Sequence, residues 1–282
     1  MALSPQLLCA TLSLGSVFLW GTSDFAGGYA ARRANAFVVA MIGHVSGTLL
    51  MLALSVVQHA VLPSLRSVAW SAAAGCCGGF CLALFYRALA TGKMGLIAPV
   101  SAVLGAVIPA LFSIWTEGMP GALSIAGFLL AGLGIWLISR TEEGHRPGGL
   151  GLAFLAGLGF AGYFLFIKQA GSGSSALWVS MFSRLASFVV TGVIVLGQRN
   201  FREIVPASAG LGAFAGCVDV LGSAFFVRAS QIGRLDTAVV ISSLYPAITV
   251  LLARLILHEH FSRWRAVGMF AALLAVPLIA LQ

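Results

Sequence analysis

Residues 36–58 read AFVVAMIGHVSGTLLMLALSVVQ, an apolar run that contains no Lys, Arg, Asp or Glu. A helix needs about 20 such residues to cross a hydrocarbon core about 30 Å thick, so this stretch predicts a transmembrane helix. A strand of a membrane barrel would instead alternate apolar and polar residues over about 10 positions, which this stretch does not do.

The rest of the chain has the same apolar character. Of its 282 residues, 60% are hydrophobic and only 9% are charged, whereas about 25% of the residues in a soluble domain are charged. This composition excludes soluble, disordered, collagen-like and disulfide-scaffold proteins. We therefore predict an all-α membrane protein that forms one domain of ten transmembrane helices. The predicted spans are 6–30, 36–58, 68–90, 94–116, 122–139, 150–168, 175–197, 207–230, 236–257 and 264–281.

The formal net charge of +8 comes from basic residues that lie mostly between the apolar runs. That placement indicates membrane topology rather than nucleic-acid binding. Eleven Lys and Arg residues follow odd-numbered spans, and four follow even-numbered spans. Because cytoplasmic connections carry the excess of basic residues, we predict both termini on the outer side of a bacterial-type inner membrane. The five Cys lie in apolar runs without His at metal-binding spacing, so no metal or cofactor is predicted.

The two halves of the chain match each other when they are offset by about 140 residues. Residues 36–41 align with 176–181, and His44 aligns with Arg184. Each half holds five spans, and an odd number of spans makes the second half enter the membrane from the opposite side. This arrangement predicts two inverted repeats, with a binding site near the bilayer midplane between them. The repeats extend over about 1–141 and about 148–282.

Several short motifs follow one another in an order that resembles a known family. They are Trp20-Gly21-Thr22-Ser23 in the first span, Tyr86-Arg87-Ala88-Leu89 ending the third, Arg184 in the seventh, and Pro246 through Glu259 with Phe261-Ser262 and Gly268. Together they resemble the drug/metabolite transporter superfamily in its EamA-type ten-helix form, and most nearly its aromatic amino acid exporters. The resemblance implies export or exchange of small metabolites. It also implies a central solute site formed by spans 1, 3, 6 and 8, with help from spans 4 and 9.

Three ionisable side chains lie deep in the predicted spans, where a charge costs about 2.5–3.5 kcal/mol and needs a partner or a wet cavity. Arg184 and Asp219 are predicted to bind the carboxylate and the ammonium group of a zwitterion, respectively, or to relay protons, with Asp219 as a proton-binding candidate; the alternative is a structural ion pair. His44 stands where the family keeps an Arg in the first repeat. It is a candidate substrate-binding residue that titrates near neutral pH, or a histidine hydrogen-bonded between helices.

Asp24 follows the Trp-Gly motif, at a position where the family more often has an uncharged residue. It is a candidate for coupling transport to protons. The alternative interpretation is an ion pair with Arg32 or Arg33 near the end of the first span.

The remaining candidate substrate-binding residues have aromatic or hydroxyl side chains. Aromatic faces can hold apolar or cationic solutes, although core packing or lipid contact explains any single one as well. Pro246 cannot bond the carbonyl one turn earlier, at Ser242, and broken helices of this kind commonly line cavities. The candidate substrate-binding residues of this group are Trp20, Tyr86, Tyr163, Ser242 and Tyr245.

Three further patterns bear on function. His258 and His260 point about 200° apart on a helix and cannot share a metal, which argues against an intramembrane enzyme. Glu117 and Glu259 end equivalent helices, where an ion pair or a helix cap is expected. Pairs of glycines four residues apart in spans 2, 3 and 8 predict close helix contacts, either static or allowing the two halves to rock.

These observations together predict a secondary transporter, an exporter or exchanger that works by alternating access. The expected solutes are small metabolites such as amino acids, or aromatic and cationic drug-like molecules. The expected partners are the solute and the lipid bilayer; the sequence leaves the oligomeric state open, a monomer included. A passive channel or facilitator is the alternative.

Overall fold

The computed structural model describes residues 4–139, 148–198, 206–258 and 262–280. Within these ranges the chain forms eleven helices and no strand. The helices are α1 (Pro5–Ala31), α2 (Ala36–Val57), α3 (Leu65–Thr91), α4 (Met94–Glu117), α5 (Ala122–Ser139), α6 (Leu150–Gly171), α7 (Ala176–Gln198), α8 (Pro206–Ile232), α9 (Leu235–Ser242), α10 (Pro246–Leu257) and α11 (Arg263–Ala280). The predicted all-helical class is confirmed.

Seven segments of the described chain are long and apolar enough to cross a membrane, counting Leu235–Leu257 as one segment. The segments correspond to α2, α3, α4, α6, α7, α8 and the α9–α10 pair. Their number and composition indicate a multi-pass membrane protein.

Polar side chains define where the first three helices begin. Ser4, Asn35 and Ser64 lie at the N-caps of α1, α2 and α3, and each side-chain oxygen accepts a backbone N–H of the first turn. Such a cap satisfies a donor that has no partner within the helix.

The ninth predicted span, 236–257, corresponds to the segment Leu235–Leu257, which is broken before Pro246 as the sequence indicated. It consists of α9 and α10, separated by a turn over residues 243–245. Pro246 begins α10 and has no amide hydrogen to donate to the Ser242 carbonyl. That carbonyl instead accepts the N–H of Tyr245, at 3.2 Å. Pro99, which likewise lacks an amide hydrogen, lies inside α4 without interrupting it.

The helices pack in pairs that correspond between the two halves of the chain. Extensive pairs are α1 with α8, α3 with α6, α5 with α11, α3 with α7, α2 with α7, and α2 with α8. When α1, α2, α3 and α5 are exchanged for α6, α7, α8 and α11, the α1–α8 pair becomes α6–α3 and the α3–α7 pair becomes α8–α2. The α2–α7 and α5–α11 pairs stay the same.

The predicted close helix contacts at glycines are confirmed. Between α2 and α8, a Cβ at Gly43 would lie 3.1 Å from the Gly212 carbonyl oxygen, and a Cβ at Gly216 would overlap the Gly43 backbone. Between α3 and α7, Gly75 faces the backbone of Ser183 in the same way. The absence of side chains at these points allows the backbones of the two halves to touch.

A polar cluster holds the end of α4 against the start of α9. Arg234 donates to the backbone carbonyl oxygens of Glu117 and Gly118 and to both carboxylate oxygens of Asp236. Hydrogen bonding to Asp236 raises the pKa of Arg234 above its ordinary value. The Glu117 carboxylate accepts the N–H of Leu235 at 3.4 Å.

The structural interpretation of Glu117 is thereby confirmed, with one partner beyond those expected. Its carboxylate lies 3.7 Å from Lys168 Nζ and near enough to Arg234 to attract it electrostatically, and it caps α9 rather than the next helix along the chain. Its counterpart Glu259 lies outside the described residues.

We expect Arg234→Gln to lower the free energy of unfolding by about 1–2 kcal/mol, because charge-assisted bonds to the α4 carbonyl groups and to Asp236 are lost. The measurement is chemical unfolding of the purified protein in detergent micelles. Arg228→Gln is the matched control, since Arg228 is exposed and bonds only Gln231 within the described chain. Equal stability of the two variants would contradict the role given to Arg234.

Candidate functional site

A cavity lies in the interior of the helix bundle, between helices of both halves of the chain. Its walls come from α1, α3, α4, α6, α7, α8 and the turn between α9 and α10. Six of the predicted site residues line this cavity: Trp20, Asp24, Tyr163, Arg184, Asp219 and Tyr245. Most of them lie near the middle of their helices.

Arg184 and Asp219 form a buried ion pair at the cavity wall. Arg184 Nη2 is 2.6 Å from Asp219 Oδ2 and 2.6 Å from Ser223 Oγ. Ser223 Oγ in turn donates to the backbone carbonyl of Asp219. The pairing compensates two charges that would be costly to bury singly. Arg184 Nε has no hydrogen-bond partner among the described residues.

Asp24 faces the same cavity from α1 and is only 5% exposed. Within the described residues its carboxylate has no ion pair, so the proposed pairing with Arg32 or Arg33 is not observed. The guanidinium of Arg33 instead contacts Tyr29, donating to its hydroxyl oxygen at 3.3 Å. Asp24 and Asp219 are close enough to repel each other electrostatically.

Aromatic rings form the apolar part of the cavity wall. The Trp20 ring lies 5.7 Å from that of Phe164 and 6.4 Å from that of Tyr245, the latter in an edge-to-face arrangement. Trp20 Nε1 donates to the Asp219 carbonyl at 3.1 Å, so the indole also holds the α8 backbone in place. The Tyr163 ring lies 6.0 Å from the Arg184 guanidinium carbon. The arrangement combines flat apolar faces with charge, which suits an amphipathic solute.

Three predicted site residues do not line the cavity. His44 is 1% exposed on α2, beside Arg184 and the Gly79 backbone, and its Nε2 has no hydrogen-bond partner among the described residues. Tyr86 packs against Gly27 of α1, and its hydroxyl oxygen is 3.4 Å from Ser23 Oγ. These two side chains lie behind the wall of the cavity rather than on it.

Ser242 is the third, and the break in the helix explains its position. The side chain of Ser242 is fully buried, whereas that of Ser243, the next residue in the turn, lines the cavity. The sequence indicated a broken helix at this point but not which side chain the turn would direct inwards.

Several lining residues were missed by the sequence prediction. Phe160 and Phe164 contribute rings from α6, Ser223 contributes a hydroxyl from α8, and Ser101 lines the cavity from α4. The aromatic cluster in the sixth span was the available signal for the two phenylalanines. For the serines, no feature of the sequence separates them from the many other buried serines.

Within the described ranges, no group of three His, Cys, Asp or Glu side chains is arranged to hold a metal ion. His258 follows α10 with a left-handed backbone, at a φ angle of 53°. Glu259 and His260, which the sequence analysis considered together with it, lie outside the described residues.

Comparison with known proteins supports a transporter. Residues 147–281 match the model of the EamA-like transporter family. A solved crystal structure of a protein shares the fold, with a TM-score of 0.76 over 97% of this chain and 98% of the other, at 16% sequence identity. No curated protein matches the chain. The family match supports the drug/metabolite transporter superfamily, and together with the apolar helices it indicates a multi-pass membrane transporter of small solutes.

Proposed function

We propose that this chain is a secondary transporter that exports or exchanges a small solute by alternating access across a bacterial-type inner membrane. The observation that carries the proposal is the central cavity. A buried ion pair, aromatic rings and a carboxylate that has no ion pair among the described residues face one space inside the bundle. Charges at this depth in a membrane protein are typical of a solute pathway.

Two inverted five-helix repeats would supply the motion. The corresponding helix pairs, such as α1–α8 and α6–α3, support this part of the proposal. In carriers of this design one repeat rocks against the other around a fixed midplane site. With both termini on the outer side, as the distribution of basic residues suggests, the connection after each odd-numbered span would face the cytoplasm.

The solute would be an amino acid or an aromatic or cationic molecule. The ring faces of Trp20, Phe164 and Tyr245 suit an aromatic group. The Arg184–Asp219 pair and Asp24 suit a charged head group. The resemblance to aromatic amino acid exporters agrees with this chemistry.

Asp24 and Asp219 are the candidate proton-binding groups. Asp24 is the stronger candidate, since Asp219 is already neutralised by Arg184. Other titratable groups around the cavity are Tyr163 and Tyr245, with His44 and Tyr86 behind its wall. If transport is coupled to protons through Asp24, a proton gradient across the vesicle membrane would drive solute to a higher concentration on one side. Asp24→Asn would abolish this gradient-driven accumulation.

Counterflow in liposomes tests the proposal. The purified chain is reconstituted into vesicles that are loaded with unlabelled solute, and a trace of the labelled solute is added outside. The assay is repeated for each solute of a panel of amino acids and organic cations. We expect labelled solute to accumulate transiently and saturably, because a carrier exchanges one molecule for another. Uptake that never exceeds equilibrium, and that does not saturate, would favour the channel alternative and contradict the proposal.

A further inference from the structure

The charges that face the cavity do not balance. Arg184 and Asp219 cancel each other across a 2.6 Å contact, which leaves the Asp24 carboxylate as the excess charge. Among the described residues Asp24 has no ion-pair partner, and it is only 5% exposed. A buried carboxylate needs a compensating positive charge or a proton, so the ionised cavity lacks one positive charge.

His44 does not supply this charge. Its ring lies beside the Arg184 guanidinium, and its Nε2 has no hydrogen-bond partner among the described residues. A second positive charge beside a guanidinium, buried and without an acceptor for its proton, would be unfavourable. The neutral imidazole therefore fits this position, and the deficit of one positive charge in the cavity remains.

We propose that the cavity selects an organic monocation, an amine with an aromatic or other flat apolar body, and that Asp24 is the residue that determines this selectivity. This inference rests on the proposed transport function and narrows its solute class. The ammonium group would pair with Asp24 while the body lies against the rings of Trp20 and Tyr245.

The remaining polar groups of the cavity indicate what else the solute carries. The Tyr245 hydroxyl and Arg184 Nε are buried cavity groups without a hydrogen-bond partner among the described residues. Both can donate a hydrogen bond, so they suit a neutral acceptor such as a hydroxyl, ether or carbonyl oxygen. A solute carboxylate would also find donors here, but it would restore the net negative charge that the ammonium group had cancelled. A zwitterionic amino acid therefore fits less well than the corresponding amine.

Binding to three ligands that share one phenyl ring tests this selectivity. The ligands are phenethylamine, phenylalanine and 3-phenylpropionate, which at pH 7 are a cation, a zwitterion and an anion. Calorimetry with the purified full-length chain in detergent gives each Kd without interference from amine leakage across vesicles. For the wild type we expect phenethylamine to bind at least about tenfold more tightly than phenylalanine, with the anion weakest.

Two variants at one position separate charge from packing. Asp24→Asn keeps the shape of the side chain and removes its charge, so it should weaken phenethylamine binding at least about tenfold and abolish the preference over phenylalanine. Asp24→Glu keeps the charge and should retain the preference for the cation. The inference is overturned if phenethylamine does not bind, if phenylalanine binds more tightly to the wild type, or if Asp24→Asn leaves the preference intact. Saturable counterflow of another solute would then still support the carrier, whereas its absence would contradict the carrier separately.

Discussion

Replacing Arg184 with alanine is expected to reduce solute counterflow at least about a hundredfold while the chain still inserts in the membrane. The substitution removes the partner of Asp219, 2.6 Å away, and leaves two carboxylates without a cation around one cavity. Stranding a buried charge in this way costs about 3–5 kcal/mol. Asp219→Asn strands the guanidinium instead, so we expect a similar loss of transport. The measurement is the initial counterflow rate in liposomes, normalised to the amount of protein inserted.

A double variant distinguishes a solute site from a merely structural ion pair. Arg184→Gln with Asp219→Asn removes both charges together, so no buried charge is left uncompensated. We expect this protein to be more stable than either single variant and yet inactive, because the solute has lost the hydrogen-bond donor that Arg184 offers in the cavity. Arg228→Gln, which removes an exposed arginine of α8, serves as the control and should transport at the wild-type rate. Normal transport by the double variant would show that the pair only stabilises the fold.

The positions of the spans could be predicted from the sequence because apolar length is a local property. Residues 36–58, for example, correspond to α2 over Ala36–Val57. The break before Pro246 was only partly predictable: a missing amide hydrogen indicates a freed carbonyl, but not whether the helix ends there. Pro99, which has the same chemistry, leaves α4 continuous.

The site was harder to predict, because a helix in lipid is apolar on all sides and its sequence does not show which face points inwards. Asp24, Arg184 and Asp219 were recognised because charge is rare in a span. His44 was chosen by the same rarity and Tyr86 as an aromatic residue, yet the packing of α2 against α7 and of α1 against α3 places them behind the cavity wall. Ser223 carries no comparable signal, and only the helix arrangement brings it to the site.

Gly216→Val is expected to have the largest effect on stability, more than about 3 kcal/mol. A Cβ at this position would overlap the backbone of Gly43, and a backbone cannot rotate away as a side chain does. Overpacking a well-packed core with side chains alone typically costs about 1–3 kcal/mol. Separation of α2 from α8 would also break the 2.9 Å bond from Ser46 Oγ to the Ala213 carbonyl. Thermal unfolding in detergent, followed by tryptophan fluorescence, measures the loss.

Gly210→Ala is the matched control on the same helix, because a Cβ there would meet nothing within 4 Å. We expect it to be as stable as the wild type or slightly more so, since alanine favours a helix over glycine by about 1 kcal/mol.

Transport distinguishes the two roles considered for the glycine contacts. If Gly212→Ala, whose Cβ would lie 3.2 Å from the Val39 carbonyl oxygen, slows counterflow without lowering stability, the contact is one that must shift during transport. If it lowers stability and leaves the rate per folded molecule unchanged, the contact is static, and the rocking motion must take place elsewhere, such as where α1 and α4 contact the α9–α10 segment.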